Sequence, residues 1–423
     1  MKICLLSRSD GRGGGYAAAY RLHRSLLQIG VGSTMLVSEK EREDRSVVNG
    51  GTKWSKVWGK VAPRLNTLPL NFYRDRDKFP YSIQWLPDNL AAQVKRLHPS
   101  LLNLHWVCGG YLRIETIAQF GIPLVWTLHD MWVFTGGCHY SQECISYKQS
   151  CGSCPQLHSR QDWDLSRWVW QRKAKALKKA DLTVVTPSRW LSQCAASSAL
   201  LGQRRIETIP HGVDIERYKP VDKCFSRDIL NLPQDKHLVI FGATMATSDP
   251  RKGFHLLQPA LQVLVQWGWR DQIELAIFGA SEPEQAIDLG FTIHYLGRMN
   301  DDTSLVLAYS AADVMVVPSV QEAFGLTALE ALACGTPVVA FNVTGVKDII
   351  ASGEDGYLAE PYKVGDLAKG IAWVLEDASR YQKLCDRARN KVEREFTSEL
   401  QAKRYLALFA EILERKTAQQ SVV

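Results

Sequence analysis

Short apolar runs of the kind buried on both faces of a sheet recur along this chain, separated by longer stretches of helical periodicity, and they come in two successive sets. The first set is Ile3 to Leu6, Ser33 to Val37, Leu101 to Leu104, Leu124 to Leu128 and Leu182 to Val185; the second is Leu238 to Phe241, Glu274 to Phe278, Thr292 to Tyr295, Val314 to Val317 and Val338 to Ala340. Such alternation is the mark of βα units closing a parallel sheet. Its recurrence predicts two doubly wound, Rossmann-like α/β domains, and a length of 423 residues also exceeds what one hydrophobic core organises. The expected layout is an N-terminal domain over 1–205, a linker over 206–235 and a C-terminal domain over 236–395. The linker is marked by Pro210, Gly212, Pro220 and Pro233. An amphipathic tail over 396–423 either crosses back to the first domain or caps the second. Open α/β sheets bind ligands beyond the carboxyl ends of their strands, so two such domains facing each other would enclose a substrate in a cleft.

Composition excludes several classes. The proportions of 46% hydrophobic and 22% charged residues are those of an ordinary globular protein. The net charge of +7 is spread among acidic residues and is no nucleic-acid signature. The opening MKICLLSRSD has too short an apolar run for a signal peptide, and no stretch is long and apolar enough for a membrane span. A cytosolic location follows, in which the ten cysteines serve as reduced thiols or metal ligands. Two stretches mix tryptophan with basic residues: Lys53 to Lys78, with Trp54, Trp58, Phe72 and Tyr73, and Arg167 to Lys179, with Trp168 and Trp170. Either could rest on an anionic bilayer at the inner face of the membrane; the alternative is a solvated helix face whose tryptophans are core.

The richest motif follows the strand VMVVPS and reads VQEAFGLTALEALACGTPVVAF. Strand, turn and helix is its natural parse. Gly325 permits close backbone approach, Thr327 can cap, and the helix start directs unpaired N–H groups at whatever lies beyond the strand. A diphosphate would be favoured there by the helix dipole. Glu322 then lies on the loop and Glu330 about one turn into the helix, so the two carboxylates meet different parts of one ligand; Glu330 suits a ribose diol and Glu322 a sugar. Two surface acids of an ordinary βα unit would show the same spacing. In TSDPRKGFHLL, Arg251 and Lys252 precede a helix and can hold a diphosphate. In SRSDGRGGGYAAAYRLHRSL, Gly13, Gly14 and Gly15 lie where the first strand turns into a helix, but Tyr16 stands in the last glycine's place of a G-x-G-x-x-G fingerprint. His129 and Asp130, in TLHDMW, end a strand where catalytic residues collect; His105, in NLHWVCGG, is a further candidate.

With these residues in view, the chain resembles the family 4 retaining glycosyltransferases of the two-Rossmann GT-B fold, and is most similar to those of exopolysaccharide and colanic-acid-type biosynthesis. EAFGLTALE matches the E-x7-E motif, and ALACGTPVVA, IPHGVD, TPSRWL and YLGRMNDDTSLVLAYSAADVMVVPS extend the likeness over most of the chain. The resemblance implies transfer of a hexose from a nucleoside-diphosphate sugar to a saccharide or lipid-linked saccharide acceptor, with retention and without a metal. It implies Glu322, His129 and Lys252 as catalytic residues. Donor contacts would come from Arg251, Lys252, Phe324, Gly325, Leu326, Thr327, Glu330, Gly14, Gly15 and Arg298, and acceptor-side contacts from Gly13, Tyr16, His105 and Asp130. One departure stands out: the family's arginine about five places before the lysine is Thr247 here, which leaves Arg251 as the substitute.

Four cysteines, Cys138, Cys144, Cys151 and Cys154, fall in GGCHYSQECISYKQSCGSCPQL. They could close a structural zinc site, with His139 and His158 as substitute ligands, or remain free thiols, or form a redox pair. The D-x-D triplets at Asp75 to Asp77 and Asp162 to Asp164 follow no apolar strand, and neither a P-loop nor a G-x-S-x-G elbow occurs. The rival readings are a sugar phosphorylase or nucleotide-sugar epimerase on the same fold, and a non-catalytic carbohydrate-binding subunit.

Overall fold

The computed structural model describes residues 1–11, 13–50, 53–243, 245–282, 288–299 and 301–420, excluding the side chains of 53–56 and 419–420. Arg12 of the glycine-rich loop, Asn300 beside Arg298, and the side chains of Lys53 and Trp54 in the first basic stretch thus lie outside the described residues.

The chain divides into two compact units, residues 1–210 with 401–423, and residues 211–400. In the first, β1 (Lys2–Ser9), β2 (Gly32–Glu39), β3 (Val47–Asn49), β4 (Leu101–Leu104), β5 (Leu124–Thr127), β6 (Leu182–Thr186) and β7 (Arg205–Thr208) form one sheet. Their order is β3-β2-β1-β4-β5-β6-β7 with every pairing parallel. The order reverses at β1, between β2 and β4, which opens a crevice at the carboxyl ends of β1 and β4. In the second unit β8 (His237–Gly242), β9 (Ile273–Phe278), β10 (Ile293–Gly297), β11 (Val314–Val317), β12 (Val338–Phe341) and β13 (Gly356–Ala359) run in the order β10-β9-β8-β11-β12-β13, again parallel. Here the switch lies between β8 and β11.

The apolar runs were legible because both faces of each sheet are covered. In the second unit Leu238, Ile240, Met315, Val317, Val338 and Ala340 pack on one side with Tyr309, Leu329 and Leu332. Their neighbours Val239, Phe241, Val314, Val316, Val339 and Phe341 pack on the other with Leu257, Leu261 and Ile371. Strands buried on both sides lose the polar alternation of a half-exposed sheet and read as continuous apolar runs.

Segment 206–235 differs from the expected linker. Arg205–Thr208 is the edge strand β7, the chain passes between units at Pro210 and His211, and Lys223–Leu230 is a helix of the second unit, N-capped by Asp222. Arg227 on that helix is buried, donating to Asp313 at 2.7 Å and to the Ala311 carbonyl at 2.9 Å. The prolines therefore punctuate structured turns. At the other end, helix Ser398–Gln420 places Ala402, Tyr405, Leu408 and Phe409 in the first unit's core beside Leu5, Leu22 and Val185.

Candidate functional site

In the second unit the motif residues assemble at the carboxyl ends of β8 and β11. The strand β11 leads through Pro318 and Ser319 to Glu322, and helix Leu326–Ala333 follows with Gly325 at its N-cap. Gly325 has φ +118°, a conformation that L side chains rarely adopt, and it turns the chain into the helix at the site. Thr327, expected as a cap, is the helix's second residue and lines a small hollow with Lys252, Ser319 and Glu322 instead. Lys252 reaches this hollow from the turn after β8. Its neighbour Gly253 has φ +74°, and a Cβ there would stand 1.9 Å from the Pro318 carbonyl oxygen, so only glycine lets the two loops meet.

The Lys252 ammonium lies 2.5 Å from Glu322 Oε1, with the two side chains 19% and 16% exposed. Ser319 Oγ donates to the same oxygen at 3.2 Å. The backbone of Glu322 is held as well: its N–H donates to Thr344 Oγ1 at 3.1 Å, and its carbonyl accepts from the Gly345 N–H at 2.9 Å. Ser319 and Thr344 were not singled out from sequence; Ser319 alone had a signal, three places before Glu322 on the same loop. The first turn of the helix begins where these groups end, and its N–H groups point outward without intrahelical partners. A cation, a fixed carboxylate and a helix start are what a diphosphate bonded to a polyhydroxylated group needs.

Other candidates stand differently. Glu330 is buried, and its Oε2 accepts the hydroxyl of the fully buried Tyr309 at 3.0 Å, so this carboxylate is held from within the core. Arg251 is turned to Asp249, with a guanidinium to carboxylate distance of 2.5 Å; the charge expected on a diphosphate is engaged by this neighbour, which also caps the Arg251 N–H. Phe324 is buried against His211 and Phe396. Leu326 is half-buried at the helix start, and Arg298 is exposed just past β10, away from the hollow's lining. A larger hollow of about 460 Å³ in this unit is bordered by Pro220, Lys223, Cys334, Thr336, Tyr381 and Arg389, and none of the candidate donor-site residues lines it.

The first unit gathers its candidates at the carboxyl ends of β1, β4 and β5. Gly13 and Gly14 have positive φ at the start of helix Gly14–Gln28. Gly15 faces the His129 ring so closely that a Cβ would meet its Cγ at 2.9 Å. Tyr16 is half-buried and sets its ring edge-on to Trp106 at 5.3 Å between centroids. His129 is pulled down to about 4 by burial, so its imidazole is neutral at physiological pH.

Two of the acceptor-side candidates are engaged by other protein groups. His105 is buried and bonds to other protein groups, Nδ1 to His129 Nε2 at 3.0 Å and Nε2 to Asn103 Oδ1 at 2.9 Å. Asp130 is buried too, and its carboxylate is taken up by the Trp132 N–H at 2.8 Å, the Trp106 indole N–H at 3.0 Å and His139 Nδ1 at 2.6 Å. It pins the loop after β5. Those contacts hold its carboxyl below the usual range, with the His139 ring as the largest favourable cause against burial.

The cysteine cluster does not converge into a zinc site. Among the described residues no group of three or more His, Cys, Asp or Glu side chains is placed to hold a metal ion. Burial raises the Cys138 thiol, and raises Cys151 to about 12 and Cys154 to about 11, whereas zinc binds the thiolate. The fully buried Lys173 also reaches this region, donating to the Trp132 and Thr135 carbonyls, and burial lowers its ammonium to about 7.

The helix Leu165–Lys178 that carries Trp168 turns three of its five basic residues to protein partners or the interior, while Lys175 and Lys178 are exposed. Arg172 clasps Glu115 at 2.6 and 2.7 Å, Arg167 donates to Ser150 and Asp162, and Lys173 is buried. Residues 57–72 differ: Val57, Trp58, Val61, Leu68 and Phe72 are all exposed, Phe72 to 89%. No helix among the described residues is long and apolar enough to cross a membrane.

Comparison with known proteins decides the class. Residues 12–217 match the family described as Glycosyltransferase Family 4, and residues 222–391 match Glycosyl transferases group 1. The chain is a glycosyltransferase built of these two domains. Its curated relatives include a D-inositol 3-phosphate glycosyltransferase of Rhodococcus jostii, 29% identical over 336 residues that span 75% of this chain and 69% of that one. Another of that name, from Catenulispora acidiphila, is 33% identical over 203 residues, where the match spans 45% of this chain and 46% of the relative. This glycosyltransferase shares its fold with sucrose-phosphate synthase from Thermosynechococcus elongatus (TM-score 0.69, 21% identity, 98% of this chain and 100% of that one). It also shares it with Anabaena HepE in complex with UDP-glucose (TM-score 0.64, 17% identity, 97% and 100%). The expected GT-B architecture of two parallel-sheet Rossmann-like domains is therefore met. The exopolysaccharide likeness is not what the relatives' names report.

Proposed function

We propose that this protein is a retaining hexosyltransferase that uses a nucleoside-diphosphate sugar and a saccharide or lipid-linked saccharide acceptor, and that it serves surface-polysaccharide assembly. The observation that carries the donor half of the reading is the Lys252 ammonium 2.5 Å from Glu322, beside the helix start headed by Gly325. As the bond to the sugar breaks, negative charge grows on the departing diphosphate. Lys252 and the helix N–H groups stabilise that charge in a place where a metal ion would otherwise be required. Glu322, fixed by Ser319 and Thr344, accepts from donor-sugar hydroxyls, and Glu330, braced by Tyr309, accepts from the ribose. The acceptor hydroxyl attacks on the face the diphosphate leaves, through an oxocarbenium-like transition state, and the departing phosphate takes its proton. His129, neutral and able to donate or accept, orients the sugar.

An inositol phosphate acceptor is the second reading, favoured by the names of the relatives. The exposed apolar residues of 57–72, among which Lys60 and Arg64 occur without an acidic residue, favour the lipid-linked acceptor through contact with an anionic bilayer.

A thermal-shift screen with UDP-, GDP- and ADP-sugars, followed by nucleoside-diphosphate release with inositol 3-phosphate or a lipid-linked saccharide as acceptor, tests both readings. Turnover that survives chelators, yields the retained anomer and needs a saccharide acceptor supports the first. Turnover only with inositol 3-phosphate selects the second, and a requirement for inorganic phosphate would mean a phosphorylase.

A further inference from the structure

We propose that His105 is a positioning residue that sets the tautomer of His129, at the head of a buried hydrogen-bond relay reaching back to Tyr405 on the C-terminal helix. This rests on the reading of His129 as the group that orients the donor sugar, and it adds how that imidazole is prepared.

The relay can be read from one end, because each link limits the next. Asn103, on β4 and fully buried, places Nδ2 3.0 Å from the Val125 carbonyl oxygen, a group that only accepts. That contact fixes the amide's orientation, so Oδ1 faces His105. An amide oxygen also only accepts, hence His105 Nε2, 2.9 Å away, carries a proton and donates it. A neutral His105 then has a lone pair on Nδ1, and the atom 3.0 Å from that lone pair is His129 Nε2. His129 is neutral because burial pulls it down to about 4, so one proton must sit on one of its two nitrogens. With His105 neutral, the relay puts it on Nε2 and leaves Nδ1 as the accepting nitrogen.

The far end explains why the chain returns to this unit. Asn103 Nδ2 donates also to Thr127 Oγ1 at 3.0 Å, and Thr127 Oγ1 shares a hydrogen bond of 2.9 Å with the Tyr405 hydroxyl. Thr127, His105 and Tyr405 are all buried. A buried polar chain of this kind costs stability unless each member is satisfied, and here those links are made. Gly15 leaves room for the His129 ring, since a Cβ there would meet the ring's Cγ at 2.9 Å.

The first test needs no substitution in the relay. In the full chain labelled with 15N-histidine, long-range 1H–15N correlation spectra report which ring nitrogen of each histidine is protonated, and His129→Asn assigns the signal by its loss. The expected result is the Nε2–H tautomer at pH 7.5; an Nδ1–H tautomer overturns the relay whatever the activity does.

The second test is kinetic, using nucleoside-diphosphate release from whichever of UDP-, GDP- and ADP-glucose the protein turns over. His105→Phe keeps the ring's shape and removes both nitrogens, and kcat should fall by about tenfold to a hundredfold, within the range of a misplaced acid–base group, while donor KM stays within about twofold. His105→Gln, whose amide can still link Asn103 to His129, should recover most of that loss. Equal losses in the two variants, or a loss carried by KM, overturn the positioning role. Should His129→Asn keep near-normal kcat, the reading of His129 itself fails and the proposal with it, even if the spectra show the Nε2–H form.

Discussion

Removing the charge of Lys252 should cost this enzyme about three orders of magnitude in kcat/KM for the donor, and most of that cost should vanish from view once Glu322 is also changed. Lys252 and Glu322 stand 2.5 Å apart with side chains 19% and 16% exposed, so they sit near the surface but not in bulk water. In such a place two unit charges about 4 Å apart interact by about 4 kcal/mol. If the ammonium stands that far from a diphosphate oxygen gaining charge in the transition state, Lys252→Met loses about 4 kcal/mol of stabilisation, or about a thousandfold in rate. Glu322→Gln removes a sugar acceptor and also frees the lysine from its partner, and should by itself cost two or more orders of magnitude. Because each residue holds the other in place, the double variant should be little worse than the poorer single one. The assay is donor kcat/KM for the protein and the three variants, with circular dichroism and thermal melts showing that each is folded. Two results refute the reasoning: losses that add in the double variant to within about 0.5 kcal/mol, which would make the two residues independent, or a loss below tenfold in Lys252→Met, which would make the contact an ordinary surface ion pair.

Two further predictions concern the scaffold. Gly253→Ala, at φ +74° and with its new Cβ 1.9 Å from the Pro318 oxygen, should destabilise the protein by roughly 3 kcal/mol or more and abolish the donor-induced thermal shift; Gly268→Ala, at φ +85° in open space, should cost only about 1 to 2 kcal/mol, and equal urea midpoints for the two would refute the close-approach argument. His23 is fully buried between Ser33 Oγ and Ser46 Oγ and is lowered by burial from 6.5 to about 4. Between those values the unfolded chain takes up a proton that the folded one refuses, so stability should fall as pH drops through that window, by about 2 kcal/mol between pH 6.5 and pH 5 for this residue alone. Urea unfolding at pH 7.5 and pH 5 measures it, and an undiminished pH dependence in His23→Gln would show that other groups are responsible.

What the sequence made legible is local, and what it hid is long-range. The central strands could be read because burial on both faces leaves runs such as Val314–Val317 without a polar residue, whereas β7, Arg205–Thr208, is a partly exposed edge strand whose polar residues resemble a loop. Within the site the same division holds. Glu322, Gly325 and Lys252 were legible because a strand end, a glycine and a helix start follow one another within a few residues. Tyr309 under Glu330 and Tyr405 behind Thr127 come from other strands and helices, and no spacing along the chain announces them. The acceptor-side candidates and the cysteines show the same division. Asp130 and His105 have the residue types and strand-end positions of substrate contacts, but each is also met by a partner from another strand end: Trp106 for the one, His129 for the other. The cysteine spacing could bring ligands near a metal but could not show that the buried Lys173, on a later helix, would enter the same region. A residue type at a strand end therefore tells where chemistry can occur, and only the partners supplied by distant elements decide whether that side chain faces a substrate or holds another residue that does.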